Sequence, residues 1–264
     1  MSAAQPDLLA AVEQSPRAAA AHDRAAWVGL FAADGRVEDP VGSRPHIGVT
    51  QIGRFYDTFI GPRDITFHRD LDIVRGAVVV RDLDLEVAMG TAVTMHIPAF
   101  LRYDLRPIDD EWKFARLRAY WELPTMMWQF LRNGPRALPA GMQLSRALLR
   151  NQRFPGTAGF AAGFRRPGSR HKEAVNAFVS ALACADTSTA MRSLSPGATM
   201  TYGDDMAIDA VELSEHLHDA RPTKTVGAGS TVAVSISSKH RRGVLFAHLA
   251  RRGSVITGIR YFPS

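Results

Sequence analysis

From Asp82 to Val87 the chain alternates acidic and apolar residues without exception, with Asp82, Asp84 and Glu86 on one side and Leu83, Leu85 and Val87 on the other. A period of two sends these sets to opposite faces of a strand, and a helix cannot separate them. The stretch Val78–Val87 is therefore predicted to be a strand with one apolar face, and that face needs a cover. Two more strands are predicted at Thr91–Leu105 and Glu111–Trp121, joined by the polar turn Arg106–Asp110.

The cover is written upstream. Ala10–Ala33 has helical patterning, with Asp23 after His22 as a break and cap. A short strand at Arg36–Asp39, a turn-rich loop at Gly42–Gly48 and a helix at Val49–Phe59 follow, the last carrying Ile52, Phe55, Tyr56 and Phe59 on one face and ending at Gly61-Pro62. Helices first and a meander of long strands after them is an α+β order, and a curved sheet over helices leaves an apolar pocket between the layers. The same order returns downstream, with helices at His171–Ala185 and Asp186–Leu194, a short strand at Ala198–Tyr202, a helix at Ile208–Ala220, and strands at Thr225–Ser237, Gly243–Arg251 and Ser254–Phe262. The fold expected is thus two tandem cystatin-like cone domains, 1–122 and 169–264. Many cone domains dimerise through the exposed sheet face, so an intrachain pseudo-dimer is an option for the two halves.

Between them lies 123–168, a basic segment. Leu123 to Arg170 holds eight arginines and no Asp or Glu, so the net charge of +6 falls to −2 for the rest of the chain. Two short helices are predicted in it, Pro124–Leu131 and Met142–Leu149, followed by a Gly- and Phe-rich connector at Phe154–Gly168. Arg132, Arg136, Arg146 and Arg150 form a candidate basic patch for an anionic membrane surface or an acidic protein partner. The apolar run Met126, Met127, Trp128, Phe130 and Leu131 is suited to burial against the cores, to a lid, or to an interfacial contact. Nucleic acid is disfavoured as a partner, because aromatic residues do not interleave with the arginines as stacking platforms.

Composition bounds the rest. The chain has 264 residues, 46% of them hydrophobic, and a single cysteine, Cys184. One thiol forms neither an internal disulfide nor a cysteine zinc site, and no apolar run of spanning length or signal-peptide pattern is present, so a cytoplasmic location with peripheral membrane contact as an option is expected. His46, His68 and His96 lack metal spacing. Phosphate-loop, nucleophile-elbow and dinucleotide patterns are absent as well, so no metal or cofactor is expected.

The stretch L-F-A-A-D-G-R-V-E-D-P-V-G-S-R-P-H-I-G, Leu30 to Gly48, with I-G-R-F-Y at Ile52–Tyr56, resembles bacterial ketosteroid isomerase. The resemblance runs ungapped from about Ser15 to Tyr56 and resumes through Phe100–Tyr103 and Arg118–Glu122; the fold itself is shared more widely, by nuclear transport factor 2 and polyketide cyclases. It implies that Asp39 is the general base that moves a proton beside a steroid ketone. It also implies a pocket whose lining includes Phe31, Val41, Phe55, Tyr56, Phe59, Ala99, Leu101 and Trp121. The chemistry needs stabilisation of the enolate oxygen as charge develops; the family combines an aspartate base with a tyrosine and a protonated aspartate, which is pKa tuning by environment.

Here the sequence departs from the family: the oxyanion tyrosine maps to Ser15 and the protonated aspartate to Ala99. Each missing donor is worth about 10²–10³ in rate. Tyr103, on the strand face of Ile97, Ala99 and Leu101 but about 13 Å from Ala99 at ~3.3 Å per residue, and Tyr56 are the substitutes available. In the second half Tyr202 falls near the place of Asp39. Three readings stay open: a carrier or binder of a steroid-like or polycyclic molecule, a steroid Δ5–Δ4 isomerase with relocated donors, and an accessory or membrane-associated protein acting through the arginine segment.

Overall fold

The computed structural model describes residues 5–89, 93–134, 141–142, 146, 167–250 and 253–264. The chain divides into two compact units, Met1–Phe164 and Arg165–Ser264, each with helices and one six-stranded mixed sheet. The architecture is α+β in tandem. The boundary expected after residue 122 moves: the helix that follows it packs on the first core through buried Leu123 and through Met126, Met127 and Phe130.

In the first unit α1 (Gln5–Ala20) and α2 (Arg24–Gly29) precede β1 (Phe31–Glu38) and β2 (His46–Ile47). Then come α3 (Gly48–Phe55), a π-helical turn (Tyr56–Ile60), β3 (Asp64–Arg75), β4 (Val78–Met89), β5 (Val93–Ile108), β6 (Glu111–Tyr120) and α4 (Leu123–Arg132). The sheet order is β2-β1-β6-β5-β4-β3, with β1 parallel to β6 and all other pairs antiparallel. Leu8, Val12, Ser15 and Ala19 recur at helical spacing on α1 and are buried or half-buried. They face the sheet side that carries Leu83, Val87, Met95, Leu101, Tyr103 and Leu117.

Several expected boundaries shift. Asp23 caps α2 by accepting from the Ala26 amide at 2.8 Å, but the helix stops at Gly29, not Ala33, because Phe31–Glu38 pairs with β6. The strand β3 is absent from the sequence reading: a register irregularity between Arg69 and Leu71 breaks its alternation, and its edge position leaves it rich in charge. The β5–β6 hairpin turns on Asp109 and Asp110 alone, both at positive φ (49° and 62°), as a two-residue hairpin loop requires. In β1 the register slips between Phe31 and Arg36. Gly35 sits in that slip, where a Cβ would stand 2.8 Å from the Ala32 carbonyl and 3.1 Å from that of Phe114.

The second unit repeats the plan: α5 (Ser169–Ala183), α6 (Thr187–Arg192), β7 (Leu194–Tyr202), β8 (Met206–Ala207), α7 (Ala210–Leu217), β9 (Arg221–Ala228), β10 (Thr231–Ser237), β11 (Arg242–Leu249) and β12 (Ile256–Pro263), in sheet order β8-β7-β12-β11-β10-β9. The single strand expected at Thr225–Ser237 is two, split at Gly229, whose φ of 59° permits the turn. The expected helix Met142–Leu149 and the connector Phe154–Gly168 lie almost wholly outside the described residues.

A buried ionic cluster ties α1 to the first sheet. Arg81 is on the inner face of β4, 1% exposed. Its Nε donates to Asp72 at 2.8 Å, and its Nη2 donates to Asp72 and to Glu13 of α1, both at 3.0 Å. Replacing Asp72 with Ala leaves this guanidinium with one carboxylate, and the protein is expected to lose about 3–5 kcal/mol of stability, read as a lower urea midpoint at unchanged m-value.

Candidate functional site

The inner face of the first sheet does not meet the helices everywhere. A cavity opens between them, bordered by α1, α2, the α3/π-helix segment, β3–β6 and α4. Its volume, taken as the space open to the centres of water molecules, is about 130 Å³, against roughly 10–15 Å³ needed for one water by that measure. Of the 22 lining residues, those with polar side-chain atoms are Ser15, Asp39, Arg63, Tyr103 and the two indoles, Trp27 and Trp121. The lining suits an apolar body with a few fixed polar contacts.

Asp39 follows the last residue of β1, where Glu38 pairs with Arg118 of β6 and the Val41 amide donates to the Ala119 carbonyl at 2.8 Å. Alternation from buried Val37 turns the Asp39 side chain to the cavity. The Trp121 Nε1–H donates to Asp39 Oδ1 at 2.5 Å. Burial pushes the Asp39 carboxyl up to about 6, and the Trp121 hydrogen bond opposes that rise without cancelling it. Such a group is mostly ionised at neutral pH and its conjugate acid is still accessible, as proton exchange with a weak carbon acid needs.

Of the other residues expected in the pocket, Phe55, Phe59, Leu101, Tyr103 and Trp121 line it. Phe31, Val41, Tyr56 and Ala99 do not. Phe31 packs between Trp27 and Phe114, and Tyr56 is buried against Trp27 with its hydroxyl unpartnered among the described residues. Ala99 is fully buried in the β4–β5–β6 core, where its methyl side chain stops short of the cavity. Trp121 is more than the apolar wall expected: it is the hydrogen-bond donor to Asp39.

Tyr103 is fully buried, and its hydroxyl is pushed up to about 12, chiefly by burial, with Arg81 and Ser15 beside it acting in the opposite direction. That hydroxyl makes no hydrogen bond of good geometry among the described residues. The register Val37–Leu117–Tyr103 places it two strands from β1 and one side-chain row away from Asp39.

The sequence reading missed Ile65 and Phe67 because it missed β3; the apolar-polar rhythm Ile65, Thr66, Phe67, His68 was the available signal. It also missed Arg63, a charged residue after a Gly-Pro helix end, which only the fold shows to be 9% exposed. On α4, Met126, Met127 and Phe130 line the cavity, while Trp128 and Leu131 are 64% and 62% exposed. Arg132 and Arg146 are exposed, and Arg136 and Arg150 lie outside the described residues. In the second unit, Thr201 pairs with Arg260 and Tyr202 with Tyr261 as Glu38 pairs with Arg118 and Asp39 falls opposite Ala119, which puts Tyr202, not an acid, at the place of Asp39, as expected.

Residues 8–126 match the family model of the nuclear transport factor 2 (NTF2) domain. A search of the curated proteins finds no match. Among solved structures, the chain is similar to RV0760c from Mycobacterium tuberculosis, crystallised in complex with estradiol-17beta-hemisuccinate, at 25% identity over 45% of this chain and 95% of that one, with a TM-score of 0.40. It is similar to a Delta 5-3-ketosteroid isomerase from Mycobacterium sp. at 26% identity, over 45% and 95% of the two chains, with a TM-score of 0.41. An LEH-like epoxide hydrolase from M. tuberculosis follows at 16% identity, 48% and 92% coverage and a TM-score of 0.42.

The raised Asp39 carboxyl makes a stability prediction with a definite sign. Its folded value of about 6 exceeds the ordinary 3.8, so the folded state favours the protonated form, and stability falls as pH rises from about 4 to about 6. Asp39→Asn, which keeps an acceptor for Trp121, is expected to exceed wild type in stability above pH 6 by up to about 3 kcal/mol and to match it below about pH 4, as measured by chemical denaturation across that range.

Proposed function

We propose that this chain, whose residues 8–126 are an NTF2 domain and whose second unit repeats that fold, binds a steroid-like or polycyclic apolar molecule in the first-unit cavity. One observation carries the reading: a ligand-sized apolar cavity with a carboxylate, Asp39, exposed to it. A rigid apolar body in a cavity of this kind makes packing contacts along its whole lining. Trp121 holds the carboxylate in one orientation, so a bound ligand meets it at a fixed place.

A second reading, proton transfer next to a ketone, draws on the Asp39 carboxyl near 6 and on the Tyr103 hydroxyl, which makes no hydrogen bond of good geometry among the described residues. Asp39 would take the proton from the carbon between the ketone and the double bond and return it two carbons away. Tyr103 is the side chain available to donate to the enolate oxygen, because Ser15 is short and Ala99 carries no donor. With one donor in place of two, turnover would fall about 10²–10³ below that of a complete oxyanion hole.

The exposed Trp128 and Leu131 beside Arg132 on the outer side of α4 favour a further role at an anionic membrane surface, where aromatic and aliphatic side chains enter the interface and arginines pair with headgroups.

A β,γ-unsaturated 3-ketosteroid tests the first two readings together. Saturable quenching of tryptophan emission is expected in wild type, with loss of at least tenfold in affinity for the cavity-filling Leu85→Trp. Conjugated-enone absorbance growing with wild type and not with Asp39→Asn would establish the isomerase; binding without enone would leave the carrier, and no binding would overturn both. For the membrane role, neutralising Arg132, Arg136, Arg146 and Arg150 together is expected to abolish co-sedimentation with phosphatidylserine vesicles, and undiminished sedimentation would overturn it.

A further inference from the structure

Arg63 stands just after the π-helical turn and just before β3, at the edge of the cavity wall. It is buried, yet no carboxylate lies within ion-pair distance of it among the described residues. Its Nη1 donates to the Thr58 carbonyl at 2.7 Å, and its guanidinium carbon lies 5.9 Å from the centre of the Phe59 ring. One of five N–H donors is thereby used by a backbone group. Burial pushes the guanidinium down to about 10, still cationic at neutral pH.

The other buried arginines of this unit, on either face of the sheet, are paired with carboxylates. Arg81 has Asp72 and Glu13, and Arg102 and Arg118 share Asp104. An unpaired buried charge is costly, and the cost persists in a fold only where something offsets it. A role in ending the π-helix would require one donor and a neutral side chain would do; it does not require a cation that lines the cavity.

The register separates Arg63 from the other polar groups. Asp64 pairs with Ala88 near the C-terminal end of β4, whereas Asp39 lies level with the Leu101–Arg81 row and Tyr103 with Val79 at the other end. A cation at one end, a carboxylate farther along and apolar walls between them define a polarity for the occupant.

We infer that the ligand of this cavity is an amphipathic acid, an elongated apolar body whose terminal carboxylate pairs with Arg63 while its neutral end lies toward Asp39. This rests on the binding reading above and narrows it to a chemical class. Arg63 presents a planar fork that matches a carboxylate in two parallel hydrogen bonds. The anionic end keeps away from Asp39, so the two carboxylates do not oppose each other.

Lithocholate and its methyl ester share one body and differ in charge, which makes them suitable probes below their aggregation concentrations. Calorimetric titration of the full chain is expected to give tighter binding of the acid by roughly 10- to 150-fold, the range for a charge-assisted hydrogen bond. Arg63→Met should reduce acid affinity to the ester's and leave the ester unchanged; Arg63→Lys should keep part of the preference. The wild-type comparison stands even if a variant does not fold. Equal binding of acid and ester by wild type would overturn the acid assignment and leave the binding reading intact. Failure of both probes to bind would overturn the two together, and a preference for the acid that survives Arg63→Met would overturn the role of Arg63.

Discussion

The first unit is held in register by a charge taken out of water. Arg81 projects from a strand whose other inward side chains are apolar, and it persists there because Asp72 from the neighbouring strand and Glu13 from α1 both accept from it. Apolar packing alone is tolerant of sliding, since one leucine contact resembles the next. A guanidinium with two carboxylates is satisfied in one arrangement only. It therefore sets where α1 lies along the sheet, and with it the position of Ser15 opposite Tyr103. The cavity begins beyond this cluster, where α1 and the sheet no longer fill the space between them.

Within the cavity, solvation sets the chemistry. Asp39 is raised because its surroundings solvate charge poorly, and Trp121 gives back part of what water would supply. The fold thus maintains a carboxylate close to the point of protonation at neutral pH with one donor and no cation beside it among the described residues. Arg63 would hold Asp39 fully ionised if it stood beside it. Its place at the other end lets the cavity contain both charges without a salt bridge that would block the space between them.

Much of this was legible in the chain. The alternation of Asp82–Val87 gave β4 its faces, the E-D-P-V-G-S turn located Asp39, and the repeated order of elements announced a second unit. What was not legible came from tertiary structure. The β3 strand carries a bulge and many charges, so its pattern reads as a loop until β4 pairs with it. The α2 helix ends early because β6 recruits Phe31 into the sheet, a competition local propensity does not register. Ala99 and Trp121 were assigned from likeness alone, and likeness does not carry side-chain length or the direction of an indole N–H. Arg63 was invisible because burial of a charge is a property of its neighbours. The α4 residues read as a linker, since an apolar stripe states that it will be covered and not by which domain.

The slip at Gly35 has an evolutionary consequence. Everything that β1 contributes to the cavity is delivered by the parity of three residues, Arg36, Val37 and Glu38, counted from that slip to Asp39. Substitution at these positions changes packing by degrees. Gain or loss of one residue turns Asp39 to the opposite face of the sheet and brings Glu38 or Pro40 inward. The chain can therefore absorb changes of composition along β1 far more readily than a change of its length, and the acidic group is held in the cavity by counting rather than by context.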